Sequence, residues 1–435
     1  MVSVRRFDTE KHSPEAIAAE LRPPLLERYE DEARAVEEIV QRVRREGDAA
    51  VLDYTRRFDC PEMRAERLEV GEDEVTAALR EADPDVVRAL QQACESVRRF
   101  HELCLQRSWL EHFEGYALGV KYTPIRRVGV YAPGGLPLPS SVYMSAIPAK
   151  VAGVREIVLC TPPARDGRVN QLMLVAASLA GVDRIFAIGG AQAIAAMAFG
   201  TETVPRVDKI VGPGNIYVLL AKRAVFGQVG IECLPGPSDV LVIADESAPA
   251  RYVAADLLSQ LEHGPGSSAV LCTPSSALAE DVLAELERQL ADLPRRETAE
   301  KNLAERGAIV LCRDLADCAR VANAIAPEHL EIIVEGDPGR LLGLIENAGA
   351  VFLGRYAPEP VGDYVAGPSH VLPTEGMSRF MSVLGVEDFL KRTSIISYSR
   401  EALVARARTV QLLAEAEGLA AHARSIAVRL EEGQP

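Results

Sequence analysis

Apolar positions recur at helical spacing through the first part of the chain. The stretch "DEARAVEEIVQRVRREGDAAVLDYTRRFD" is the plainest case, interrupted at Gly47, and "PDVVRALQQACESVRRFHELC" repeats the pattern. The first ~120 residues are therefore expected to be mainly helical. From Arg127 the period changes, and short β-branched runs alternate with apolar helical segments. "REIVLCTPP", "RIFAIGG" and "KIVGPGN" read as strands, with "RVNQLMLVAASLAG", "AQAIAAMAFG" and "IYVLLAKRAVFG" as the helices between and after them. A second series starts at "DVLVIADESA" and runs through "RYVAADLLSQLEHG", "AVLCTP", "SALAEDVLAELERQL", "AIVLCRD", "LADCARVANAI", "LEIIVE", "GRLLGLIENAG" and "AVFLG". Strands alternating with helices predict parallel sheets. The fold class expected is α/β: two Rossmann-like parallel-sheet domains, joined near "GIECLPGPSD", with N-terminal helices covering one of them. After Phe352 comes a long loop, and the chain closes in a helical tail that Gly418 interrupts.

Composition narrows the partners. The chain has 435 residues, enough for two or three domains with sizeable cores. Its formal net charge of −15 argues against nucleic acid and anionic membranes, both of which need a basic face. No apolar run is long enough to cross a bilayer, and the N-terminus lacks the apolar core of a signal peptide. The eight cysteines form no CxxC pair, which suits a reducing, cytoplasmic setting; Cys160 and Cys272 sit in apolar runs as small core residues.

Seven histidines carry most of the candidate chemistry. His12, His101 and His112 lie in polar or helical surroundings and read as solvated or partly packed. His263 ends "DLLSQLEHG", three residues after Gln260 and on the same helical face. Asp363 and His370 lie in "GDYVAGPSH", part of the long loop. Glu417 and His422 flank Gly418, so both reach one site only if the helix breaks there. Taken together, Gln260, His263, Asp363 and His422 offer two imidazole nitrogens and two oxygens, a donor set that suits zinc. Glu328 and His329 stand side by side at the entry to "LEIIV", either as a polar cap or as an acid and a base. The glycine turns "YAPGG", "GGAQAIAA" and "GPGNIYV" can present backbone N–H groups to phosphate, although none matches G-x-G-x-x-G.

Across nearly the whole chain the sequence resembles the histidinol dehydrogenases. The resemblance runs in order through "VGVYAPGG", "PSSVYMSAIPAKVAGV", "GGAQAIAAMAFGT", "VGPGNIYV", "GPSDVLVIAD", "DLLSQLEHG", "APEHLEI", "GDYVAGPSHVLPT" and "EGLAAHARS". It implies a zinc- and NAD-dependent oxidation of L-histidinol to L-histidine through L-histidinaldehyde, the last step of histidine biosynthesis. It implies one Zn2+ per subunit held by Gln260, His263, Asp363 and His422, and a catalytic pair of Glu328 and His329. Ser238, His370 and Glu417, with His329 and the metal ligands, would contact substrate, and Tyr131, Gln192 and Asn215 would line the NAD site. It also implies a homodimer whose C-terminal segment reaches the partner's active site. The organisation expected is an N-terminal arm over 1–25, a first Rossmann-like domain over 26–130 plus 240–384 with most of the metal and catalytic residues, a second over 131–239 with the NAD contacts, and a C-terminal helical segment over 385–435. Pro235, Asp239, Ser268 and Ser369 depart from the family's usual residues, and the loop after Gly135 is one residue short. Alternatives that the residues leave open are a paralogous zinc/NAD dehydrogenase acting on another small polyol or amino alcohol such as a sulfopropanediol, a metallohydrolase in which Glu328 activates water, and a non-catalytic binding protein.

Overall fold

The structure, a computed structural model, describes residues 3–21, 29–134, 137–234 and 236–431. Pro235 and residues 135–136 of the short loop lie outside these. In chain order, β1 (Arg5–Asp8) and α1 (Pro14–Leu21) precede α2 (Glu30–Glu46), α3 (Asp48–Phe58), α4 (Glu72–Glu81) and α5 (Pro84–Leu103). Strands β2 (Trp109–Phe113) and β3 (Tyr116–Pro124) follow. The first alternating series is β4 (Arg127–Tyr131), α6 (Pro139–Ala152), β5 (Glu156–Thr161), α7 (Gln171–Ala180), β6 (Arg184–Ala187), α8 (Gly190–Phe199), β7 (Lys209–Val211), α9 (Ile216–Val225) and β8 (Gly230–Ile231). The second is β9 (Asp239–Ala244), α10 (Ala250–Leu261), β10 (Ser268–Thr273), α11 (Ser276–Leu290), α12 (Arg296–Arg306), β11 (Gly307–Leu311), α13 (Leu315–Ile325), β12 (His329–Ile333), α14 (Gly339–Leu342), β13 (Ala350–Leu353) and α15 (Glu359–Tyr364). The chain ends in β14 (Leu390–Tyr398), α16 (Arg400–Ala416) and α17 (Ala420–Glu431).

By contacts the chain forms two units, one of residues 1–104 with 125–389, the other of 105–124 with 390–435. The first unit holds both parallel sheets. Among the described residues the six-stranded sheet runs β1-β11-β10-β9-β12-β13 and the five-stranded sheet β6-β5-β4-β7-β8. In both, strand order reverses beside the first strand of the series, at β9/β12 and at β4/β7. At the carboxyl ends of the strands such a reversal opens a crevice where ligands bind.

Every residue of β9 is buried, as a strand covered on both faces must be. Val240, Val242 and Ala244 face a core shared with α10, α11 and α12. Leu241 and Ile243 face the other way, onto residues of α1 and α13. Each such leucine or valine contributes about 1.5–3 kcal/mol by leaving water. The pattern had left α12 unmarked: "RETAEKNLAER" is too polar to show a stripe, and it buries only Ala299, Asn302 and Leu303.

The N-terminal stretch is less helical than expected. β1 adds an edge strand to the six-stranded sheet, and β2 and β3 pair antiparallel. The expected grouping put 26–130 with the six-stranded sheet, yet α2 packs on α8 and α9, α3 on α8, α4 on α7, and α5 on α6 and α7. These helices cover the five-stranded sheet. His101, expected to be solvated or partly packed, is 1% exposed on α5, and neither ring nitrogen has a partner.

The second unit is an antiparallel sheet, β14-β3-β2, with α16 and α17. The 385–435 segment therefore carries a strand before its helices. Gly418 takes φ 73 between α16 and α17, so the tail breaks where glycine predicted. No described helix is long and apolar enough to cross a membrane.

Candidate active site

The chain enters β12 through a strained turn. Asp314 caps α13 by accepting from the Asp317 N–H (2.6 Å), and the helix ends at Ala326, which adopts φ 53 without being glycine. Ser378 Oγ donates to the Ala326 carbonyl (2.9 Å) and helps hold that conformation. The next residues pair with the β13 entry: Gly349 N donates to Pro327 O and Ala350 N to Glu328 O, each at 2.9 Å. A Cβ at Gly349 would lie 2.6 Å from the Glu328 carbonyl oxygen, so only glycine permits this approach. Glu328 and His329 are thereby fixed at the amino end of β12, beside β9.

Both side chains are buried, at 7% and 4% exposure. Asp239 N donates to Glu328 Oε2 (2.9 Å), and Glu328 N donates to Asp239 Oδ1 (2.8 Å). His329 Nδ1 lies 3.0 Å from the Asp239 carbonyl oxygen. A carbonyl only accepts, so the proton is assigned to Nδ1 and Nε2 keeps its lone pair. Nε2 is 3.7 Å from Glu359 Oε1, beyond a hydrogen bond. Burial pushes Glu328 well above the usual carboxylate range, helped by the Asp239 charge, and holds His329 below the usual imidazole value. The pair is thus a carboxyl whose charge is disfavoured by burial beside an imidazole with an open basic nitrogen.

Around it gather most of the expected ligands. Gln260, fully buried at the end of α10, places Nε2 3.4 Å from His329 Nδ1 and leaves Oε1 without a partner. His263 lies just past the helix, its N–H donating to the Gln260 carbonyl (3.2 Å), with its side chain reached by the charge of Asp363. Asp363 Oδ1 is 3.5 Å from His370 Nδ1. Burial alone would raise Asp363, but the hydrogen bond and charge of His370 outweigh it and bring the carboxyl down to about 2. Ser369 donates from Oγ to Met144 O (3.1 Å) and accepts from Val371 N (3.2 Å), which fixes the backbone on either side of His370. His370 Nε2 is buried and unpartnered. Ligand atoms of His329, Glu359 and Asp363 all lie within 4.8 Å of one another. Orphaned buried acceptors of this kind fit a divalent cation. Ser238 is half-buried just before β9, and its carbonyl accepts from Ser268 N (3.0 Å). Glu417 and His422 belong to the second unit, either side of the Gly418 break, and both are exposed.

Three carboxylates here escaped the sequence reading. Glu359 and Glu331 are each 1% exposed and Asp256 9%, and Glu359 N donates to Glu331 Oε1 (2.7 Å). Burial pushes Glu331 and Glu359 up to about 9 and Asp256 up to about 6. The signals were present: Glu331 is a charge inside an apolar strand, and Glu359 precedes Asp363 by one helical turn.

At the carboxyl ends of β4 and β7 lies a cavity of about 900 Å³, lined by residues that include Tyr131, Gln192, Asn215, Phe58 and Asp59. That volume is in the range of cofactor sites. Tyr131 Oη accepts from Gly190 N (3.1 Å) at the start of α8. Gln192 is 1% exposed with Nε2 unpartnered. Asn215 caps α9, accepting from Tyr217 N and Val218 N, which leaves its amide NH₂ for a ligand. Three residues from separate segments thus meet in one cavity at a sheet reversal, a place that suits a dinucleotide.

The family model for histidinol dehydrogenase matches residues 26–430. The chain belongs to the histidinol dehydrogenase family. It is an oxidoreductase of that family. It is 51% identical over 400 residues to the histidinol dehydrogenase of Halalkalibacterium halodurans, covering 92% of this chain and 94% of that one. The Bacillus subtilis histidinol dehydrogenase is 51% identical over 402 residues, with 92% and 93% covered. The crystal structure of histidinol dehydrogenase from Elizabethkingia anophelis superposes with a TM-score of 0.93 at 35% identity, covering 99% of each chain. An aldehyde dehydrogenase 21 from Physcomitrella patens, 12% identical with a TM-score of 0.50 over 84% of this chain and 89% of that one, shares the fold alone.

Proposed function

We propose that this histidinol dehydrogenase oxidises L-histidinol to L-histidine through L-histidinaldehyde, in two successive NAD-dependent steps at a zinc site, in the cytoplasm. The observation that carries this reading is the buried imidazole of His329, its Nε2 open, set among Gln260, Glu359 and Asp363. When bound, zinc orients the substrate's imidazole and amine, and NAD accepts a hydride in each oxidation. Gln260, His263 and Asp363 would hold the metal, with His422 supplied by the partner subunit. Tyr131, Gln192 and Asn215 would hold NAD.

His329 does the proton work. Its Nε2 would take the hydroxyl proton as the carbinol C–H bond breaks, giving the aldehyde, release it to solvent, and then take another from the aldehyde hydrate in the second oxidation. Nδ1–H, tied to the Asp239 carbonyl, keeps the ring in the required tautomer. Water adds to the aldehyde between the two steps, and the Glu328 carboxylate would take the proton that the attacking water loses and pass it to the hydrate's new hydroxyl oxygen. Ser238, His370 and Glu417 would fix the substrate, and holding the aldehyde between the steps would protect it from side reactions. Dimer formation is supported by the second unit, which exposes Trp109, Leu110, Ile396 and Leu413, too much apolar surface for a small free-standing unit. The test is purified, zinc-replete protein with histidinol and NAD, alongside a panel of diols. The reading requires two NADH per histidine; turnover of diols but not histidinol would overturn it.

A further inference from the structure

Lys222 and Glu232 form an ion pair (2.6 Å) at 0% and 3% side-chain exposure, beneath the turn that ends in Asn215. Both engage one residue of that turn. Lys222 Nζ donates to the Gly212 carbonyl (2.5 Å), and Gly212 N donates to Glu232 Oε1 (2.7 Å). The two polar backbone groups of Gly212 are thus fixed from opposite sides. Gly212 takes φ 113, and a Cβ there would lie 2.0 Å from the Tyr131 carbonyl oxygen. The turn is therefore clipped directly against the backbone of Tyr131, and two of the cavity's lining residues are set by one buried pair. Burying two charges is a poor way to gain stability, since desolvation offsets most of their attraction; apolar side chains of similar size often do as well. What apolar replacements lack is a donor and an acceptor for Gly212.

We infer that Lys222 and Glu232 are positioning residues for the cofactor: their ion pair holds the Gly212–Asn215 turn in the shape that binds NAD. The inference rests on the assignment of NAD to this cavity. It predicts a separation of two quantities that a merely structural pair would move together.

The double variant Lys222→Met, Glu232→Met keeps two long side chains and removes both charges. Its KM for NAD should rise about tenfold or more in the folded protein while its KM for histidinol holds. An unchanged KM for NAD in the folded double variant would overturn the inference. If that variant fails to fold, Glu232→Gln decides, since it keeps size and an acceptor but weakens the clip. Fluorescence titration with NADH should then show a severalfold weaker Kd, and an unchanged Kd overturns the inference. Gln192→Ala, which lines the same cavity without touching the clip, serves as the reference. If it binds NADH like wild type, the cavity assignment fails and the inference with it. If it weakens NADH and the clip variants do not, only the inference fails.

Discussion

His329 keeps its basic nitrogen free because a backbone carbonyl claims the other one. With burial holding its pKa below 6.5, the base form persists into mildly acidic solution. The acid limb of kcat/KM should therefore fall below pH 6.5, which a pH–rate profile measures. His329→Ala should slow histidinol and histidinaldehyde oxidation alike, by roughly 10²- to 10⁴-fold, the range for a positioned acid–base group. Glu328→Gln keeps size and removes the titratable group. It should impair the second half-reaction more than the first, because only the aldehyde needs water added. Stopped-flow absorbance from histidinol, compared with a run begun from the aldehyde, would show the first NADH outpacing the second; equal slowing of both steps would mean that the two residues act as one relay.

At the scale of elements, α5 carries a built-in acid weakness. His101 on this helix is buried with neither nitrogen partnered, and burial lowers its pKa to about 4. Between that value and 6.5 the unfolded chain binds a proton that the folded one refuses. Stability is therefore full above pH 6.5 and declines as pH falls toward 4, by no more than about 3 kcal/mol. His101→Leu should flatten that decline, seen as a smaller loss in thermal midpoint between pH 7 and pH 4.5. The same helix was legible in the sequence from its stripe, and in the structure Asp83 caps it with Pro84 at its first position. Its packing onto α6 and α7 was not legible, because an amphipathic face states that it will be covered and never by what.

For the whole molecule, strong chelation should abolish turnover and added zinc should restore it; normal activity in fully demetallated protein would remove the metal from the reading. Sites shared between subunits make a second prediction. Mixed His329→Ala and His422→Ala subunits, each inactive alone, should regain about a quarter of wild-type activity, since half the dimers are hybrids with one intact site. Hybrids that form but stay inactive would contradict sharing.

Local pattern determined the alternating strands and helices, the two parallel sheets, the break at Gly418 and the pairing of Glu328 with His329. Each depends on residues near one another in sequence, through periodicity, caps and glycine's access to positive φ. The motif set, read in order, also pointed to the family. Tertiary structure alone decided what meets what. Glu359 and Glu331 became part of the site because a loop after β13 folds back onto β12. Tyr131, Gln192 and Asn215 came to share a cavity because strand order reverses between β4 and β7. The titration of Glu328 and His329 likewise depends on burial, and burial comes from segments far along the chain, which no short stretch of sequence encodes.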